Sequence, residues 1–207
     1  MNFRLFLTIL FISLGSSSYT QQLKFEKSPE ENQLFARDNN NNASVVFSGT
    51  VSGDTEFNKL SLKVYKDGIL YEEIVAEIEN KKFNFSSIIK AGLFQYRFEL
   101  YHQTNSKEKL MFIADNIVCG DAYIITGQSN SHWSSLQSTY SSPFCKSFGV
   151  KTGYEKYSEN DKKIRWGLAT GNCKNCKGEG WEKGYNGGGS TKIQHAVGVW
   201  GMELAKL

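Results

Sequence analysis

Lys59-Leu60-Ser61-Leu62-Lys63-Val64-Tyr65, with Asp67-Gly68 one residue further on, is the stretch that decides the fold. Side chains on a strand alternate between its two faces, so this run puts Leu60, Leu62 and Val64 on one side and polar residues on the other. Asp-Gly is the dipeptide a tight hairpin turn favours, and a second strand is expected through Ile69 to Ile78. Phe94-Gln95-Tyr96-Arg97-Phe98-Glu99-Leu100 alternates again, with Phe94, Tyr96, Phe98 and Leu100 on one face. Val45-Val46-Phe47 and Leu110-Met111-Phe112-Ile113 supply shorter strands. About six strands, with turn signals roughly every ten residues, predict an antiparallel β-sandwich over residues 23–113. Aromatics at alternate positions are read as its inward face rather than as a sugar-stacking platform.

Outward from this segment, the chain has 207 residues, enough for one ordinary domain or two small ones. Apolar residues make up 40% and charged residues 22%, which excludes a globally disordered or collagen-like chain. The net charge is +3, and its basic residues are scattered rather than striped, which argues against a nucleic-acid partner. Asp38-Asn39-Asn40-Asn41-Asn42 has neither strand nor helix period and reads as an exposed loop. At the N-terminus, Arg4 precedes an apolar run from Leu5 to Leu14 and the small residues Gly15-Ser16-Ser17-Ser18. This is the pattern of a cleavable secretory peptide over residues 1–22. The run is about half the roughly 20 residues a spanning helix needs, so a secreted or periplasmic protein without a membrane partner after cleavage is expected.

Composition changes near residue 114. Five of the 19 glycines lie before that point and fourteen after it, and all four Cys and all four Trp belong to the second part. Asn116 to Thr126 ends in a nearly continuous apolar run bounded by Gly127, the pattern of a buried parallel strand. Gly127-Gln128-Ser129-Asn130 then offers a serine hydroxyl at the carboxyl end of that strand, where α/β sheets place ligands. Backbone N–H groups after such a serine, unpaired in a first helical turn, would be available to a developing oxyanion.

The thirteen residues Val118-Cys119-Gly120-Asp121-Ala122-Tyr123-Ile124-Ile125-Thr126-Gly127-Gln128-Ser129-Asn130 resemble the first block of the sialate O-acetylesterase branch of the SGNH hydrolases. The resemblance implies Ser129 as nucleophile, with Gln128 and Asn130 in orienting roles. It also implies a β-sandwich module ahead of a catalytic domain. The expected fold is therefore α+β overall: an immunoglobulin-like sandwich (23–113), then the first part of a three-layer α/β hydrolase domain (114–207). Val197 to Leu207 is similar to a family segment in which a glycine N–H joins the oxyanion hole, and Gly198 and Gly201 are the two candidates. An ordinary loop and helix start accounts for those glycines equally well.

The family's third block and its late Asp-x-x-His have no counterpart before Leu207. A serine needs a base to remove its proton, usually a His oriented by a carboxylate. His102 and His195 do not match the family base, and His132, three residues from Ser129, is poorly aimed for it even on a helix. The reading is an exported carboxylic ester hydrolase removing O-acetyl groups from sialic acid or other acetylated sugars, interrupted after the N-terminal part of its catalytic domain and inactive by itself. A secreted carbohydrate-binding or adhesion module with a hydrolase remnant is the alternative.

Residues 131–195 are rich in Gly, Ser, Lys, Asn and aromatics, and are expected to form a long substrate-side loop. Trp133, Trp166, Trp181 and Tyr185 are its candidate sugar-stacking residues, although an insertion packed by its own aromatics reads the same way. Cys173-Lys174-Asn175-Cys176 has spacing compatible with zinc or redox chemistry. Export favours a disulfide within Cys145, Cys173 and Cys176, leaving Cys119 a buried thiol; no metal and no cofactor are expected.

Overall fold

Leu60, Leu62 and Val64 are fully buried, and so are Phe98 and Leu100 on the neighbouring strand. The protein is described by a computed structural model over residues 22–52, 59–103, 107–124, 140, 142–149, 165–170, 194–196, 198–204 and 206. The first eight strands are β1 (Gln22–Lys27), β2 (Leu34–Ala36), β3 (Asn42–Ser52), β4 (Lys59–Lys66), β5 (Ile69–Glu77), β6 (Lys82–Lys90), β7 (Tyr96–Gln103) and β8 (Glu108–Gly120). They form a three-stranded sheet of order β1-β3-β6 and a five-stranded sheet of order β2-β8-β7-β4-β5. All neighbours are antiparallel except β2 and β8, which run parallel with Leu34 opposite Val118 and Ala36 opposite Gly120.

The chain crosses between sheets from β1 to β2, from β2 to β3, from β3 to β4, from β5 to β6 and from β6 to β7, an order similar to the Greek key of immunoglobulin-like sandwiches. Between the sheets runs a seam of rings. Phe83 meets Phe25 at 5.7 Å, Phe25 meets Phe112 at 4.8 Å, Phe112 meets Phe47 at 5.8 Å and Phe47 meets Phe98 at 5.6 Å. Edge-on and tilted pairs of this kind add about 0.5–1.5 kcal/mol each beyond their burial. Phe47 on β3 and Phe98 on β7 stand where antibody domains carry their inter-sheet disulfide. Asp67 and Gly68 join β4 to β5 with φ of 50° and 79°, both in the left-handed region that a tight hairpin turn requires.

The expected α+β architecture does not hold. Of the described residues 67% are strand, with one short helix, and they contain no α/β layered domain. The apolar run read as a parallel strand opening such a domain begins instead as the end of β8, inside the sandwich. Ile117, Val118 and Cys119 are all at most 2% exposed, so side chains on both faces of the strand end are buried, Ile117 and Cys119 in the core. Burial on both faces erases the period of two, and an unbroken apolar run reads alike in either kind of sheet. Ala122, Tyr123 and Ile124 that follow are exposed and lie outside any strand.

Beyond the sandwich, β9 (Lys146–Gly149), β10 (Arg165–Thr170) and β11 (Gln194–Ala196) form a small sheet of order β11-β10-β9. β10 is antiparallel to β9 and parallel to β11. The helix α1 (Gly198–Leu204) follows, with Met202 fully buried. No helix among the described residues is long and apolar enough to cross a membrane.

Candidate functional site

The block that carries the serine starts where β8 leaves the sandwich, and that exit is held by side chains from a distant part of the chain. The Arg37 backbone N–H donates to the Gly120 carbonyl at 2.9 Å, extending the parallel pairing of β2 and β8 by one residue. The Arg37 guanidinium then takes both oxygens of Asp121, Nε to Oδ1 at 2.7 Å and a second N–H to Oδ2 at 3.3 Å. Its remaining arm donates to the Asn41 side-chain oxygen. A planar fork matched to a carboxylate fixes direction as well as distance. The hydrogen bond and charge of Asp121 hold the guanidinium pKa above its ordinary value.

The asparagine-rich run forms the platform for this contact. Asp38 folds it by accepting N–H bonds from Asn40 at 2.8 Å and Asn42 at 2.9 Å, an Asx turn that leaves Asn41 at φ 61°. The Asn41 carbonyl accepts from the Ala91 N–H, and the Cys119 carbonyl from the Gly92 N–H. Arg37, the Asp38–Asn42 turn and the Ala91-Gly92 turn therefore meet at the end of β8, with Arg37 alone bonded to Gly120 and Asp121 in these contacts. Burial, together with the Asp38 charge, pushes the Cys119 thiol pKa up.

Ser129, Gln128 and Asn130 lie outside the described residues, as do His132, Trp133, Trp181, Tyr185, Cys173 and Cys176. Gly198 and Gly201 share α1, with Gly198 at its first position and Gly201 buried. Trp166 is half-buried on β10 with its ring 5.1 Å from that of Phe148, its cross-strand neighbour on β9. Cys145 immediately precedes β9, and its carbonyl accepts from the Ala169 N–H. His102 is buried on β7, opposite Leu60, on the inward side of the sheet. Among the described residues no group of three or more His, Cys, Asp or Glu is placed to hold a metal ion.

Two further charged clusters join residues that no motif connects. Lys146 of β9 reaches the sandwich, with its Nζ 3.5 Å from the Asn32 side-chain oxygen. Burial pushes its pKa down to about 8, against the opposing charges of Asp115, Cys145 and Glu31. Burial also raises the Glu31 pKa, and Asp115 raises it further. On the outer face of the five-stranded sheet, the Glu99 carboxylate accepts from Arg97 Nε at 2.6 Å and from the Tyr101 hydroxyl at 2.5 Å. Burial opposes ionisation of Glu99, but these donors outweigh it and leave its pKa below the ordinary value. The same contact pushes the Tyr101 pKa up to about 12. Arg37, Lys146, Glu31 and Asp115 were invisible as a set in the sequence, since only chain folding brings positions 84 and 114 residues apart into contact.

What the described residues define is a mostly antiparallel, two-sheet β-sandwich followed by a small mixed sheet. No protein-family description matches the chain, and no curated protein matches it either.

Proposed function

We propose that the chain belongs to an exported serine esterase that removes O-acetyl groups from sialic acid or another acetylated sugar, with Ser129 as nucleophile. The observation that carries the reading is the anchorage of the motif block. Its Asp121 is gripped by Arg37 at the end of β8, and the residues from Asp121 to Asn130 continue directly from that anchored point. A rigid sandwich edge is a suitable base for a nucleophile that must be held within a fraction of an ångström.

In the reaction, the Ser129 Oγ attacks the ester carbonyl while a base takes its proton. The sugar hydroxyl leaves with a proton, and water releases acetate from the acyl-serine. Backbone N–H groups at Ser129 and at Gly198 or Gly201 are the candidate oxyanion donors. The base and its carboxylate are assigned to none of the three histidines of this sequence.

The esterase to which the chain belongs should release acetate from O-acetylated sialic acid or another acetylated sugar. Ser129→Ala should lower kcat by about 10⁴-fold or more. Hydrolysis at an unchanged rate in that variant overturns the reading. Acetylated glycan bound with no hydrolysis by either protein would favour a secreted carbohydrate-binding or adhesion module, which the self-contained sandwich core equally suits.

A further inference from the structure

Two stretches that the esterase reading leaves unused, Asn42-Ala43-Ser44 and Asn84-Phe85-Ser86, have the acceptor pattern for N-linked glycosylation, Asn, a residue other than proline, then Ser. Such triplets recur by chance in any chain, so their position in the fold is what matters. Asn42 opens β3 and Asn84 lies within β6, and the two strands are hydrogen-bonded neighbours. The middle residues, Ala43 and Phe85, are buried in the core. Alternation along each strand therefore turns the Asn and the Ser of both triplets to the outer face of the sheet.

The burial pattern agrees. Asn84, Ser86 and Ser44 are exposed and Asn42 is half-buried. The Ser44 and Ser86 hydroxyls lie 3.0 Å apart, so the two triplets meet across the strands. Asn42 is opposite Lys90 and Asn84 opposite Ser48, which separates the asparagines by six strand positions, or about 20 Å. That spacing leaves room for two branched sugars. Of the surrounding outward positions, Ser48, Thr50, Lys82 and Lys90 are small or hydrophilic, Val46 and Ile88 are aliphatic, and none is a large aromatic that a glycan would have to displace.

β6 is also the last strand of its sheet among the described residues, with Ile88 49% exposed on it. An edge strand with unpaired backbone groups and an exposed apolar side chain invites association, and a bulky hydrophilic group blocks it. We propose that Asn42 and Asn84 each carry an N-linked glycan, making the outer face of β1-β3-β6 a sugar-covered face. The opposite sheet, which carries β8 and the exit toward Ser129, stays clear of them. The attachment is redox-neutral. The Asn Nδ2 forms a bond to C1 of a lipid-pyrophosphate-linked oligosaccharide, the C1–O bond breaks, the lipid pyrophosphate leaves, and the amide gives up one proton.

The proposal rests on export, so the test separates the two. The full chain is produced in a eukaryotic secretory host behind its own leader and, in parallel, with residues 1–22 replaced by an established secretory leader. Intact mass of the protein behind the established leader should show two glycans, both removed by peptide-N-glycosidase with Asp left at positions 42 and 84. Asn84→Gln and Ser86→Ala should each delete one glycan, and Asn42→Gln and Ser44→Ala the other. Two chemically different substitutions per site guard against a folding failure. Protein secreted behind the established leader with no glycan, or with one only, overturns the proposal. Glycans present behind that leader and absent behind the native one leave the sites standing and remove the export reading.

Discussion

The Tyr96 hydroxyl accepts from the Lys90 N–H at 3.1 Å and donates to the Lys90 carbonyl at 3.2 Å, while its ring is 1% exposed. Tyr96 stands at the start of β7, two residues before Phe98, and so closes the turn from β6 as the tyrosine corner of immunoglobulin-like domains does. Both backbone groups of Lys90 would lose a partner in Tyr96→Phe, while the ring packing would stay. Chemical denaturation should show that variant less stable by about 1–3 kcal/mol. An unchanged midpoint would mean water replaces the hydroxyl without cost. Ser87 illustrates the same accounting on β6. It is buried while its neighbour Ile88 is exposed, and it is tolerated there because its hydroxyl donates to Glu72 at 2.6 Å. That inversion of hydropathy is why β6 was not evident as a strand. The two Asn-x-Ser triplets needed no structure to be found, but their common face did.

At the scale of elements, β8 owes its shape to a bulge. Tyr96 pairs with Ile117 and Phe98 with Ala114, so Arg97 alone opposes both Asp115 and Asn116. Asn116 takes up the extra residue at φ 56°, with its N–H on the Asp115 carboxylate at 2.8 Å. The bulge lets Asp115 meet Arg97 at 3.4 Å on the outer face while Ile117 returns to the core. Asn116 Nδ2 is buried without a hydrogen-bond partner among the described residues. Asn116→Gly removes both the orphaned amide and the left-handed strain, and should raise stability by about 1 kcal/mol. Asn116→Val, whose branched side chain resists this φ, should lower it by at least as much. Equal melting temperatures for the two variants would count against the bulge as drawn. The segments Leu60–Val64 and Tyr96–Leu100 were legible because their apolar residues lie on one face and polar ones on the other, although Ser61 and Glu99 on that second face are buried too. The end of β8 was not, because both of its faces are covered.

For the whole molecule, Lys146 is the informative joint, since it ties the small sheet to the sandwich. Its folded pKa of about 8 lies below the ordinary 10.5, so between those values the unfolded chain binds more protons than the folded one. Stability contributed by this group is therefore present above pH 10.5 and lost as pH falls through 8. The groups facing it are Glu31, Asp115 and Cys145, with Arg97 on the far side of Asp115. Relative to Lys146→Met, in which other titrations cancel, the native protein should gain stability steadily from pH 8 to 10.5. A difference independent of pH would show that Lys146 is solvated as in the unfolded chain. The four Trp all lie after residue 130 and the sandwich has none, so a Trp signal reports the second part alone. By itself the sequence determined the alternating strands of the sandwich, the Asp67-Gly68 turn and the Gly-Gln-Ser-Asn motif, because local period and short spacing are written along the chain. Only tertiary structure decided that the apolar run after Asp115 closes a sandwich rather than opening an α/β layer. It alone set Arg37 on Asp121 and Lys146 beside Asn32, because which partner covers a face, and which distant charge meets which, depends on how the sheets stack.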